Sequence, residues 1–444
     1  MNALKSIVML ILGALLIGAA GFRGNELLAM RREHHLTQAD PLENAPPMVA
    51  FTTVAFGGFR GLIADLLWLR AAGLQEEGNY FELVQLSDWI TKLEPRFTAV
   101  WAYHAWNLAY NISVLFSEPA DRWRWVSNGM KLLRDEGLTY NPGDARLLYE
   151  LGWIFQHKMG TDVDQAHMYY KRTWASEMDA LFHGPSPDFA ALAADTHSAT
   201  AKRLRDEYKM DPAMMEQVDR LYGPLDWRLP QAHAIFWAWQ SKQVAEGFDA
   251  MAANRMIFQS LADAFRRGRL FVSKDGSRFI PSPNIDLIPR VDEVFQATLR
   301  EHPGDESIMT AHAHFLRESV VVLFTYNRID QARALYDDAC ARYPSDANGK
   351  SFGDFVLRST GLNSPALTDR DAAAIVEGLL YQSVYWQVLG DSDRAEGTGQ
   401  WAVHAWNVYM STRQDPELKE RVGLPPLEDM RRIAAERVRT DLGM

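Results

Sequence analysis

The 444-residue chain has a single cysteine, Cys340. That excludes an internal disulfide framework and every metal or haem-attachment motif that needs several thiols. Cys340 falls on an apolar helix face and reads as a small buried hydrophobe. Surplus positive charge is also missing: the formal net charge is −11 and the sequence pI near 5.6. A nucleic-acid partner would call for a basic stripe, so this class is set aside. Runs of alternating polarity closed by hairpin turns are almost absent, and with them the signature of an extended sheet.

Charge is missing locally as well. After Lys5 the chain is uncharged from Ser6 to Phe22, until Arg23, and this run sits at the lower limit for crossing a bilayer. It reads as a signal anchor or a signal peptide. Gly18-Ala19-Ala20 offers an imperfect cleavage site and no cysteine lies nearby for lipid attachment, which favours the uncleaved anchor. Arg23, Arg31 and Arg32 follow the run while only Lys5 and the terminal amine precede it. The very short leader nonetheless favours an export orientation, with the bulk of the chain on the periplasmic or extracytoplasmic side of a cell membrane. Residues 23–55 read as an extended stalk, polar from Arg31 to Met48 and interrupted by Pro41, Pro46 and Pro47.

What is present is helical periodicity. With 47% hydrophobic residues the chain can bury several cores, and apolar and aromatic residues recur at helical spacing in almost every window after the stalk. The body is expected to be all-α. Leu270 to Pro289 is the exception, where Lys274-Asp275-Gly276 between short apolar pieces marks a small hairpin or ordered loop. Punctuation is regular: Asn141-Pro142-Gly143-Asp144, His302-Pro303-Gly304-Asp305 and Tyr343-Pro344-Ser345-Asp346 each close one helix and offer an aspartate to cap the next, and Glu94-Pro95 closes another.

At Asn327-Arg328-Ile329-Asp330-Gln331 a turn is followed by Ala332, Tyr336, Ala339 and Pro344, the full spacing of a tetratricopeptide-repeat second helix. Its preceding helix, Ile308 to Phe324, has Val320 where glycine is usual. A second unit carries the first-helix signature, with Leu148, Leu151-Gly152 and Phe155, then Asp164-Gln165-Ala166 and Tyr170 after a loop lengthened by two residues. Two more, Ala64 to Pro95 and one at Asp391 to Ala402 with Gly399 in place of the aromatic, match more weakly. The chain thus resembles tetratricopeptide-repeat proteins over 64–180 and 306–410. The resemblance implies an α-solenoid of helical hairpins with a concave partner-binding groove, built because glycine and alanine let helices approach while aromatics fill the space between hairpins. The expected organisation is a transmembrane anchor at 6–22, the stalk at 23–55, repeats at 56–183, a helical middle insertion at 184–301 and further repeats at 302–444.

Candidate chemistry is thin. Gly349-Lys350-Ser351-Phe352-Gly353 has the form of a nucleophile elbow, but that motif needs a preceding strand and here a helix ending at Pro344 precedes it. Pro344 also stands where a phosphate loop needs glycine. His312 and His314 point in different directions on a helix, and neither they nor His34-His35 gather a ligand set. Trp101 to Asn107 and Trp401 to Asn407 share six of seven residues, placing Trp, His and Ala on one stripe that either packs against the next hairpin or faces a partner. Tyr222 to Pro230 concentrates turn formers, charge and aromatics around Asp226, Trp227 and Arg228, as a ligand-facing loop or as a buried corner where Asp226 caps a helix. The partner-binding candidates are therefore Trp101, His104, Asp226, Trp227, Arg228 and His312.

These features lead to a non-enzymatic, single-pass membrane-tethered scaffold or adaptor of a bacterial envelope complex, with protein partners, no nucleic acid, no metal and no cofactor. The alternative is an α/α-toroid enzyme acting on carbohydrate, suggested by fourteen tryptophans and an acidic balance. Two carboxylates converging in one pocket would favour it.

Overall fold

The computed structural model describes residues 60–272, 279–344, 351–359, 369–411 and 424–443. No described helix is long and apolar enough to cross a membrane; the run from Ser6 to Phe22, the stalk, His34-His35 and Asp346 lie outside the described residues. The chain divides into two compact units, residues 1–104 with 139–142 and residues 105–138 with 143–444.

In the first unit, α1 (Arg60–Glu76) pairs with α2 (Tyr80–Leu93), and α3 (Thr98–Trp106) follows after the turn closed by Pro95. The core is built by Ala71, Leu74, Leu83 and Leu86, with a second cluster of Ala64, Ile90 and Val100. The boundary between the units falls within α3.

The second unit is a succession of helices. α4 (Pro119–Lys131) comes first, then α5 (Ala145–Trp153), where the Asp144 carboxylate accepts from Leu147 N at 3.0 Å, as its motif predicts. α6 (His167–Phe182), α7 (Phe189–Ala194), α8 (Ala199–Asp206) and α9 (Pro212–Tyr222) lead to the centre of the unit. There α10 (Pro230–Val244) is apolar almost all round, carrying no charge before Lys242, and every residue from Pro230 to Trp239 is buried. A helix without a polar face must be covered on all sides, and α10 is: it packs on α11 (Gly247–Arg267), α5, the turn after α5, and α9. A hairpin of β1 (Arg269–Val272) and β2 (Phe279–Ser282), antiparallel with Leu270 opposite Pro281, sits inside the stretch marked by Lys274-Asp275-Gly276. Next come α12 (Ile288–Glu301), α13 (Glu306–Thr325), α14 (Ile329–Arg342) and α15 (Phe352–Ser359), then α16 (Asp369–Leu389), α17 (Ser392–Ser411) and α18 (Leu427–Leu442). Consecutive helices contact one another from α10 to α14, and α16 contacts both α17 and α18.

Among the described residues the protein is thus all-α apart from this small hairpin, with many packed helices. Signature positions lie in the interior: Ala332, Tyr336 and Ala339 on α14, and Leu148, Leu151, Gly152 and Phe155 from α5 onward. Gly152 is required by a close helix crossing. A Cβ there would lie 2.9 Å from Met256 Sδ and 3.3 Å from Ala234 O, on α11 and α10. The close neighbours of this first-helix glycine therefore come from the middle region. That region showed no repeat in the sequence because α10 lacks the amphipathic pattern by which helix pairs are recognised.

Among the described residues three helices end in wide π turns, Asn107–Ile112 after α3, Leu132–Gly137 after α4 and Ile154–Gly160 after α5. Such turns are rare and cluster at sites of function or strain.

Candidate functional site

Five of the six candidate residues have buried side chains and the sixth is nearly so. Trp101 is 2% exposed, stacks on Tyr140 with ring centroids 5.7 Å apart and donates Nε1–H to Pro95 O at 3.0 Å. His104 is buried in the same unit, and burial, only partly opposed by Asp88, lowers its pKa to about 4. The second copy of this heptapeptide buries the same stripe, Trp401, Ala402 and Ala405 on α17, but His404 is exposed where His104 is buried. Six shared residues therefore set a common apolar stripe but not a common setting for the histidine.

Asp226, Trp227 and Arg228 form the buried corner, although Asp226 caps no helix. Its two oxygens accept from Arg228 Nε at 2.9 Å and Nη2 at 2.8 Å, and Oδ2 also accepts from Leu270 N at 3.3 Å, holding β1. Trp227, fully buried, donates Nε1–H to Asp219 Oδ1 at 3.1 Å. Behind it, His233 Nε2–H donates to Trp227 O at 2.9 Å, leaving Nδ1 without a partner, and complete burial lowers this histidine to about 4. His312, on α13, is clamped between Asp292 Oδ1 at 2.7 Å and the Tyr343 hydroxyl at 2.8 Å and stacks on Phe295. Burial opposes ionisation of Asp292, but hydrogen bonds from His312 and Arg342 outweigh it and hold this carboxyl below its ordinary range. Trp101 and His104 belong to the first unit, and within the second unit the corner and His312 lie in separate places. Trp101, the corner and His312 are engaged by their own neighbours, while His104 Nδ1 is buried without a hydrogen-bond partner.

Ser351 caps a helix. Its hydroxyl accepts from Asp354 N at 3.2 Å while Asp354 Oδ2 accepts from the Ser351 hydroxyl at 2.8 Å; Gly349 and Lys350 lie outside the described residues. His314 is exposed where His312 is buried. Among the described residues no three potential metal ligands converge.

One open concave surface of the second unit lies along α11. Ala252, Arg255, Gln259, Ala262 and Arg266 recur at steps of three and four residues and form one stripe of that helix. Three hollows share it. The largest, about 560 Å³, lies between α5 and the first half of α11, with Tyr149, Glu150 and Trp153 on one side and Phe248, Met251 and Arg255 on the other. A second, about 220 Å³, shares Trp153, Gln156 and Gln259 with it and continues to His157, Gln231, Ser260 and Asp263. A third, about 270 Å³, shares Arg255 and Gln259 and reaches His314 and Phe315 on α13. Phe248 stands 77% exposed at the rim.

On α5 and its π turn, Tyr149, Trp153 and His157 follow one another at i, i+4, i+8 and stack as a column. The ring centroids are 6.4 and 4.8 Å apart and the planes 15° and 7° from parallel. Burial, opposed by Arg146, raises the Glu150 carboxyl beside them. The column is held from beneath by buried charge: Lys158 Nζ pairs with Asp164 Oδ2 at 2.6 Å, Arg122 reaches the same carboxylate at 3.2 Å, and Lys158 lies over the Tyr110 ring. Burial would raise Asp164, but Lys158 and the Ala166 amide keep it ionised and lowered. The lengthened loop after Gly160 is thereby pinned, with Asp162 bound to Lys171 at 3.0 Å and to Arg267 at 2.8 Å.

Apart from His314, these groove residues did not stand out in the sequence, because an aromatic residue every fourth position on a helix is the ordinary mark of a core. Only the pairing of α5 with α11 shows that this column borders a hollow. A scan against protein families finds no model that matches the chain, and a search of curated proteins finds no match either.

Proposed function

We propose that the protein is a non-catalytic scaffold, an α-solenoid of tetratricopeptide-like hairpins tethered by its N-terminal apolar run and presenting the α11 groove to a protein partner of a bacterial envelope complex. The observation that carries this reading is the groove: three successive hollows on one helix stripe, rimmed by exposed Phe248 and lined by aromatic, methionine, arginine and glutamine side chains. Concave, largely apolar surfaces with a few fixed polar groups are where partners and ligands dock, and arrays of packed helices use such surfaces for extended segments. Neighbour-to-neighbour packing from α10 to α14 and the buried repeat positions support the solenoid. The tether and its orientation rest on the run from Ser6 to Phe22 and the leader before it. The partner-binding role is assigned to this groove in place of the six candidates, whose side chains are largely buried. Phe248→Asp at the rim tests it: partner capture is lost at unchanged melting temperature if the groove docks the partner, and is retained if it does not.

A second reading has one observation in its favour. Glu150 and Asp249 both line the largest of these hollows, and burial raises the Glu150 carboxyl; two carboxyls in one hollow, one of them desolvated, are the arrangement of a carbohydrate-cleaving enzyme. Glu150→Gln separates the two readings, since it abolishes hydrolysis of a glycan in an enzyme and leaves partner capture within about twofold in a scaffold.

A further inference from the structure

We propose that the stripe of α1 formed by Leu62, Leu66 and Leu69 lies in the lipid interface of the membrane that the N-terminal apolar run enters. The inference rests on the tether in the reading above and is independent of the α11 groove.

The three leucines follow at i, i+4 and i+7 and so share one side of the helix. They are 57%, 58% and 69% exposed. The opposite side is already used: Ala64, Ala71 and Leu74 are buried in the two cores that α1 shares with α2 and Val100. Between Arg60 and Arg70 the only charged residue is Asp65, so α1 is apolar on both sides. A helix that is apolar all round is covered all round, and among the described residues nothing covers this stripe. Six of the nineteen large hydrophobic side chains exposed among the described residues fall between Arg60 and His104, the other three being Phe81, Trp89 and Phe97.

The chain outside the described residues selects lipid as the occupant. α1 is the first described helix, and residues 1–59 lead into it. They contain the uncharged run from Ser6 to Phe22 and, ending at α1 itself, a second stretch without charge from Asn44 to Phe59. The exposed leucines thus stand on the first helix that the tether delivers, next in sequence to a stretch with no charge to hold it in water. At about 100° per residue, Asp65 and Arg70 lie on the two flanks of the stripe, and Glu76 closes it. A narrow apolar stripe with charges at its edges is the pattern of a helix lying in the plane of the interface, its charges at headgroup level. The described cations of α1 and α2 are matched within the pair: Arg70 binds Glu77 at 3.3 Å and Glu82 at 3.4 Å, and Lys92 binds Asp88 at 2.7 Å. No basic cluster is left to select anionic headgroups, so contact is by apolar insertion and phosphatidylcholine suffices.

The test uses the full-length chain carrying Cys340→Ser and Leu66→Cys, labelled at its one thiol with nitrobenzoxadiazole and reconstituted into phosphatidylcholine vesicles. Leu66 is exposed, so the labelled chain should melt with the unlabelled Cys340→Ser chain. Lipids bearing a nitroxide on the acyl chain should quench the label, at a depth of about 5–10 Å into the interface, while aqueous iodide does not. Leu62→Cys and Leu69→Cys should report the same depth, as side chains of a helix parallel to the surface. A label quenched by iodide and untouched by nitroxide lipid, on a chain that still floats with the vesicles, overturns the proposal and leaves the tether standing. A label shielded from iodide yet untouched by nitroxide lipid means that protein covers the stripe, a second copy or the chain's own residues, and overturns it equally. A chain that fails to float with the vesicles overturns tether and proposal together.

Discussion

His233 shows how a single ring is committed to one protonation state. Its Nε2–H holds the Trp227 carbonyl and its Nδ1 faces no acceptor, so a second proton would be a buried charge without a partner. The folded pKa near 4 lies below the unfolded value of about 6.5. As pH falls, the unfolded chain therefore takes up the proton first. Stability is full above pH 6.5, declines as pH drops toward 4 at up to about 1.4 kcal/mol per pH unit, and levels below. His104 adds the same trend to the first unit. Thermal melts of His233→Phe between pH 7 and 4 should show a shallower decline than the parent, together with a loss of about 1–3 kcal/mol at pH 7 from the stranded carbonyl; parallel curves would contradict the assignment. The same scale contains Asp164, which lies between Lys158 and Arg122 with its side chain 1% exposed. Asp164→Asn leaves two cations facing a neutral amide and should cost about 3–5 kcal/mol in denaturant titrations. A cost below 1 kcal/mol would show that this charge is not structural.

Among the elements, caps and close crossings were legible to different degrees. Asp144 and Asp305 cap α5 and α13 at the positions their Pro-Gly-Asp punctuation marks, because a cap is a local bond between residues two or three apart. Ala332, Tyr336 and Ala339 are likewise buried, since a repeat motif encodes the packing of one hairpin. The π turns were not legible, because their extra residue per turn follows from packing over distance and not from local propensity. Nor was the crossing at Gly397. A Cβ there would lie 2.3 Å from Asn327 N and Thr325 O, backbone atoms of the turn between α13 and α14, where Asn327 has φ +58°. Gly397→Ala should destabilise the protein by about 3 kcal/mol, at the upper end of overpacking costs. Gly378→Ala, on α16 with nothing within 4 Å of its Cβ, should stabilise by about 0.5–1 kcal/mol. Equal effects of the two substitutions in equilibrium unfolding would contradict the packing of α17 on that turn.

Over the whole molecule, the helical class was readable from periodicity alone, while the position of the open surface was not. Trp101, Trp227 and His312 drew notice as aromatic or ionisable residues in dense sequence neighbourhoods, and that density reflects cores: Trp227 is fully buried and His312 is 1% exposed. Tyr149, Trp153 and Arg255 border the hollows because helices distant in sequence leave one side of α5 and α11 uncovered, which no single window reports. The scaffold account requires that this uncovered side, and no other, holds the partner. The measurement that bears on it most directly is quantitative affinity capture from a mild detergent extract, comparing the full-length parent with a Phe248→Asp, Arg255→Glu double variant of matched melting temperature. The account predicts one envelope protein recovered in stoichiometric amount with the parent and reduced by about tenfold or more, the equivalent of 1.4 kcal/mol, with the variant. Equal recovery by both chains, or no partner with either while the purified parent cleaves a glycan in a Glu150-dependent manner, would contradict it.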